Sequence, residues 1–188
     1  IPLEFEKDPQ YKEKQFIKEK LFEINEQIAQ RWHGCLVSDA GGQRAREYLG
    51  ERGVSEEGEK LFRLGFAPDS WDDTVNWAKS KNFEPGQVEQ AGLLAKKEGS
   101  SDFYSRFRGR LMFPICDDQG RVIGFSGRVL PGSNDERKYV NSPETPLFIK
   151  SRVMFGLDKS KRAILEKQFA VVCEGQLDLI ACFMAGVQ

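Results

Sequence analysis

Histidine, paired cysteine and long apolar runs are all scarce in this sequence of 188 residues, and each scarcity removes a class of protein. The four cysteines, Cys35, Cys116, Cys173 and Cys182, form no C-x-x-C pair, and the single histidine, His33, has no cysteine at ligand spacing. Neither a zinc site nor a disulfide framework is expected from that pattern, which fits a reducing cytoplasm with the four thiols as small apolar filler. No stretch approaches the roughly 18 uninterrupted apolar residues of a membrane span. Residues 1–20 alternate acid and base, which is no secretory signal, and the absence of an initiator Met points to a processed or excised piece. Charge of one sign is not in excess either: 28 Lys+Arg stand against 29 Asp+Glu, a net of -1.

What is present suffices for a core. Hydrophobic residues make up 39% of the chain, with 14 Phe, which excludes wholesale disorder and allows one ordinary domain or two small ones. The charge is unevenly spread. Residues 1–105 carry 15 basic against 20 acidic side chains, residues 106–152 carry 9 against 5, and residues 153–188 carry 4 against 4. A basic middle of net +4 inside a neutral chain is a local electrostatic footprint.

Periodicity divides the chain into three styles. Residues 11–33 read as one amphipathic helix, with Ile17, Leu21, Ile24, Ile28 and Trp32 on one face and Gly34 as its stop signal. Shorter helices follow over 43–51, over 55–64 behind an N-cap Ser55, and over 71–80, with Gly65 to Pro68 unable to form helix interior. From about residue 103 the period becomes two. Residues 107–115 read as a strand with Phe107, Leu111, Phe113 and Ile115 toward a core and Arg106, Arg108 and Arg110 on the opposite face. Asp117 to Gly120 is a turn, residues 121–128 return as the second strand of a hairpin, and Arg128 can join the other arginines across it. Last, Phe169 to Cys173 is a continuous apolar run, the mark of a strand buried on both faces of a parallel sheet. It exits at Glu174-Gly175 into a helix carrying Leu177, Ile180, Ala181 and Met184, and the carboxyl end of such a strand is where open α/β sheets place ligands.

Two features carry candidate chemistry. Glu174 beside a glycine lets a metal or phosphate approach the backbone, although an acid opening a helix is ordinarily a solvated partner of the macrodipole, and Asp178 adds little by itself. The cations Arg106, Arg108, Arg110, Arg128, Lys138 and Lys150 suit phosphates, against the commoner fate of strand arginines as a solvated face. Three same-face arginines with no acid among them favour phosphate.

These residues also carry a family resemblance. The runs Arg106 to Ile115, Gly120 to Arg128 and Lys138 to Thr145 resemble the catalytic core of bacterial DnaG-type DNA primases. Ala45 to Leu49, Gly65 to Pro68 and Phe155 to Leu157 agree with it, and Val172-Cys173-Glu174-Gly175 is similar to the opening strand and glutamate of the toprim fold in those enzymes. The resemblance implies an α+β fold: a helical amino-terminal half, a basic antiparallel β region, then the first β-α unit of a toprim domain, with a subdomain at 1–166 and the toprim start at 167–188. It implies a DNA-directed RNA polymerase that makes short RNA primers on single-stranded DNA from nucleoside triphosphates in the cytoplasm. Arg106, Arg108, Arg110, Arg128, Lys138, Asn141 and Lys150 would line the path of template, RNA–DNA hybrid or nucleotide. Glu174 would help place Mg²⁺ or Mn²⁺, with the remaining ligands beyond Gln188. Zn²⁺ would belong to a module preceding this segment, and a replicative helicase would dock on a further carboxyl-terminal domain. Gln176-Leu177 replaces an aromatic-Met pair usual in the family, and Ser126 stands where glycine is usual. Two rival readings are another toprim enzyme, either phage-type primase-helicase or topoisomerase-like, and a single-stranded nucleic-acid-binding module without catalysis.

Overall fold

The computed structural model describes residues 9–133 and 135–188, so the first eight residues of the expected amino-terminal subdomain lie outside it. Helix α1 (Pro9–Ser38) buries Leu21, Ile24, Ile28, Trp32, Cys35 and Leu36 along one stripe. It runs through Gly34 rather than stopping there. Cys35 and Leu36 extend the buried stripe past the exposed glycine, and burying Leu36 is worth about 2 kcal/mol against about 1 kcal/mol for a helical glycine. The helix ends instead where the Arg46 guanidinium donates to the carbonyls of Leu36 and Asp39, partners that a helix terminus otherwise lacks.

Helices α2 (Gln43–Glu51), α3 (Glu56–Leu61) and α4 (Asp73–Ser80) fall close to the segments expected, and the Ser55 hydroxyl caps α3 by accepting from the Gly58 amide at 3.2 Å. Helix α5 (Pro85–Gln90) has proline at its first turn. Strand β1 (Gly65–Ala67) takes the segment barred from helix. It lies so close to α1 that a Cβ on Gly65 would stand 2.8 Å from the Cβ of Trp32. His33 fastens the same crossing: its Nδ1–H donates to the Leu64 carbonyl at 2.7 Å, which makes this histidine structural.

Strands β2 (Leu94–Lys96) and β3 (Phe103–Ser105) pair antiparallel as a small separate ribbon. Strands β4 (Arg110–Cys116), β5 (Val122–Val129) and β6 (Tyr139–Asn141) join β1 in an antiparallel sheet of order β1-β4-β5-β6. The hairpin and its turn at 117–120 are as the period-two pattern indicated. The facing differs. Strand β4 is buried along its whole length because the sheet is covered on both sides. Trp32, Phe107, Met112 and Phe125 pack on the α1 side, while Leu111, Phe113 and Phe66 pack on the side of α2, α3 and the final helix. Phe107 and Phe113 therefore belong to opposite cores.

Helix α6 (Leu157–Lys167) buries no residue, and α7 (Gln176–Met184) buries Leu177, Ile180 and Phe183 against Phe62 and its neighbours. The apolar run between them forms no strand. Phe169, Val171 and Val172 are 61%, 56% and 76% exposed. A two-face-buried strand exists only between neighbours that accept its backbone bonds, and no described strand lies beside it. The chain is thus α+β, with the final helix present and its preceding strand unpaired.

Cys35 and Cys116 are buried filler, as expected, with burial pushing both thiols up to about 11. Cys173 and Cys182 depart from that reading: both are half-buried, with sulfurs 3.9 Å apart.

Because Phe113 is fully buried between β5 and the α2–α7 side, Phe113→Ala is expected to cost about 3–5 kcal/mol of unfolding free energy. Urea titration of the purified chain measures this, and a loss below about 1 kcal/mol would place Phe113 outside the core.

Candidate nucleic-acid interface

The expected arginine face does not form. Gly109 adopts φ +58° and ends β4 at Arg110, so Arg106 and Arg108 sit in the loop before the strand rather than on it. Arg110 is 1% exposed. Its guanidinium donates to the Asp135 carboxylate at 2.6 Å, the Arg137 carbonyl at 2.9 Å and the Gly127 carbonyl at 3.2 Å. A charge so buried is stable only with such partners, and Arg110 is a structural cation rather than a phosphate contact. Arg128 lies opposite Leu111 in the register, on the sheet face away from Arg110. It joins a different group.

That group lines a cavity of about 680 Å³ between the β5–β6 edge and the segment leading into α7. Arg128, Lys138 and Asn141 line one wall, with Arg52 from the end of α2, and Glu174 and Asp178 line the other. Arg128 donates to the Tyr139 hydroxyl at 2.6 Å and packs over the rings of Tyr48 and Tyr139 at 5.1 and 5.4 Å. Its Nε is buried without a partner, and so is the Tyr48 hydroxyl. The Asp178 carboxylate folds back over Gly175, where a Cβ would stand 2.9 Å from its Oδ2.

Structural bonds explain why Asn141 remains available. Ser142 Oγ accepts from the Phe125 amide at 2.9 Å, Thr145 Oγ1 accepts from the amides of Leu147 and Phe148, and Glu144 accepts from the Lys150 amide. These residues shape the loop and leave the Asn141 side chain facing the cavity wall without a hydrogen bond among the described residues. Lys150 stands apart, exposed in a short 3₁₀ turn (Lys150–Arg152), and does not line the cavity.

A second group forms around Arg108. Its guanidinium carbon sits 3.7 Å above the Trp71 ring and 5.4 Å from Tyr104, and it donates to the Ser105 carbonyl. Trp71 is 63% exposed and meets Tyr104 edge-on at 5.3 Å. An exposed indole, a phenol and a guanidinium stacked together form a platform on which bases can stack. Arg106 beside it is half-buried with an unpartnered Nε. None of Arg106, Arg108, Arg128, Lys138 or Lys150 has an ion-pair partner among the described residues, whereas Arg110, Arg31, Arg63 and Arg121 all do. Trp71, Tyr48, Arg52 and Ser126 were not singled out as site residues from sequence. Nothing in the sequence marked them: Trp71 stands among Asp69, Asp72 and Asp73, and it meets Arg108 only in the fold, which also places the other three.

The two carboxylates do not make a metal centre by themselves. No group of three His, Cys, Asp or Glu side chains able to hold a metal ion occurs among the described residues, so Glu174 and Asp178 fall short of a site of their own.

An antiparallel sheet covered by helices on both faces, with unpaired cations at its β5–β6 edge, defines an α+β class, and comparison with known proteins gives the family. Residues 32–161 match the DNA primase catalytic core, N-terminal domain, and the chain belongs to that family. It is 41% identical to the DNA primase of Synechocystis sp. over 174 residues, which is 92% of this chain and 27% of that protein. Among solved structures it resembles the RNA polymerase domain of the Mycobacterium tuberculosis primase DnaG in complex with a double-stranded DNA oligomer with a 6-nucleotide overhang: 39% identity, TM-score 0.83, 90% of this chain and 52% of that one. It also resembles the Aquifex aeolicus primase, zinc binding and RNA polymerase domains: 30% identity, TM-score 0.78, 99% of this chain and 43% of that one. The chain spans about a quarter of the length of the curated relatives it matches.

The hydrogen bonds from Arg137, with those from Arg110, hold the Asp135 carboxyl well below the usual carboxylate range against the opposing effect of burial. A depressed folded pKa adds stability above the unfolded value of about 3.9 and loses it as pH falls toward the folded one. Asp135→Asn is therefore expected to lower stability at pH 7 and to flatten its decline below about pH 4, read by thermal melting across pH. Arg110→Ala is expected to cost about 3–5 kcal/mol in urea titration, whereas Arg108→Ala leaves folding nearly unchanged.

Proposed function

We propose that this chain is the part of a DNA primase that grips template and incoming nucleotide, in an enzyme that synthesises short RNA primers on single-stranded DNA. The observation that carries the reading is the cavity in which unpaired Arg128 and Lys138 face Glu174 across about 680 Å³. Cations without carboxylate partners suit a polyphosphate, and a carboxylate opposite them suits the reacting end of a nucleotide. The Trp71–Arg108–Tyr104 stack lies on the ribbon side and suits the bases of a template strand. The M. tuberculosis relative is described in complex with DNA, in keeping with that partner.

The division at 166/167 belongs to the same reading. The exposed run 169–172 and the unburied α6 support a second unit there, although α7 shares the core of the first. In the complete enzyme Mg²⁺ or Mn²⁺ would be held by Glu174 together with carboxylates from outside this chain. Nucleoside triphosphates, an RNA primer and, through another domain, the replicative helicase are the remaining partners, in the cytoplasm. A zinc-binding domain is named in the Aquifex relative and would be the place of Zn²⁺ here.

In the intact enzyme Glu174→Gln is expected to lower primer synthesis by about a hundredfold or more while template affinity holds, because the change removes an interaction made chiefly in the transition state. Primer yield close to the parent's at saturating metal and nucleotide would leave a binding module without chemistry. The 188-residue chain alone is expected to bind single-stranded DNA weakly and to make no primers. With Arg110 committed to Asp135, the four contacts Arg106, Arg108, Arg128 and Lys138 give a slope of log affinity against log salt of about -3. Filter binding across a salt series measures it, and a flat response removes these four cations as phosphate contacts.

A further inference from the structure

Ser126 is 1% exposed, lines the cavity, and its hydroxyl has no hydrogen-bond partner. A buried hydroxyl left unsatisfied costs about 1–3 kcal/mol, so its retention calls for a partner that arrives with a ligand. The register sets Ser126 directly opposite Asn141 on the face that also carries Arg128 and Tyr139. The wall is therefore graded: neutral Ser126 and Asn141 side by side, then, two residues along β5 and about 7 Å away, Arg128, with Lys138 just before β6 also lining the cavity.

A hydroxyl and a carboxamide each donate and accept. Two such groups abreast match the vicinal hydroxyls of a ribose, which also donate and accept, while the neighbouring cations match its phosphates. A deoxyribose would leave one of them unpaired in a buried place. We infer that Ser126, with Asn141, reads the ribose hydroxyls of the incoming nucleotide and contributes to selection of ribo- over deoxyribonucleoside triphosphates. The inference rests on the cavity being the nucleotide site.

The test compares ATP and 2′-deoxyATP affinity in the intact enzyme, by displacement of a fluorescent ATP analogue, for the parent, Ser126→Ala, Ser126→Gly and Arg128→Ala. Both serine variants are expected to weaken ATP by roughly three- to tenfold and to leave 2′-deoxyATP nearly unchanged, the loss of one hydrogen bond to a neutral hydroxyl. The melting temperature of Ser126→Ala should match or exceed the parent's, because an unpaired buried hydroxyl has been removed, while Ser126→Gly melts somewhat lower as a glycine inside a strand. Equal weakening of both nucleotides would assign Ser126 to the phosphates or the base and overturn the inference. So would no change in either while Arg128→Ala weakens both, and in that case the nucleotide site itself stands. Loss of affinity in none of the variants would remove the site and the inference together.

Discussion

The guanidinium of Arg110 is the bond on which the geometry of the cavity depends. It is buried at the end of β4, yet all three of its partners lie on β5 or on the connection to β6: Gly127, Asp135 and Arg137. A connection of nine residues between those strands would otherwise wander, and with it the placement of Lys138, Tyr139 and Asn141. Gly127 makes room for this arrangement, since a Cβ there would stand 3.1 Å from the Arg110 side chain and equally close to Met112 and Phe107. The cost of desolvating the charge is offset by one carboxylate and two carbonyls, and Asp135 and Arg137 are thereby tied to the start of β4.

That constraint divides the basic middle of the chain into charges that build and charges that remain free. Arg110 and Arg137 are committed to Asp135, Arg121 to Asp117 and Arg46 to the end of α1. Arg106, Arg108, Arg128 and Lys138 are not, and they fall into two places: an aromatic platform beside β3 and a cavity beside β6. Free cations raise the local potential more than paired ones, so a net surplus of only four charges in sequence becomes two concentrated sites.

The sheet fixes the wall of the cavity. Helix α1 covers one face through Trp32, whose ring meets Phe107 and Phe125 edge-on at 5.7 and 4.9 Å. The other face is covered by α2, α3 and α7, with Tyr48 of α2 reaching Arg128 from below. Residues two apart on one strand, such as Arg128 and Ser126, thus look into the cavity from a surface fixed on both sides, which is how a site gains preorganisation.

Much was legible in the sequence because it depends on neighbours along the chain. The stripe of α1, the Ser55 cap, the hairpin at 117–120 and the helix after Gly175 all follow from periodicity and local turn chemistry. The family motifs pointed to Arg128, Lys138 and Asn141 as a binding path and to Glu174 as a metal ligand, but that these four line one cavity while Arg110 and Lys150 do not is seen only in the fold. Tertiary structure decided the rest. Period two cannot tell a sheet covered on one face from one covered on both, so Phe107 and Phe113 were placed on one side and Arg110 in solvent. A glycine at positive φ cut the strand between Arg108 and Arg110, and glycine alone does not announce its φ. The apolar run before Glu174 reads as a strand because its side chains suit one, but a strand is made by hydrogen bonds to a neighbour, and only the assembled fold supplies or withholds that neighbour.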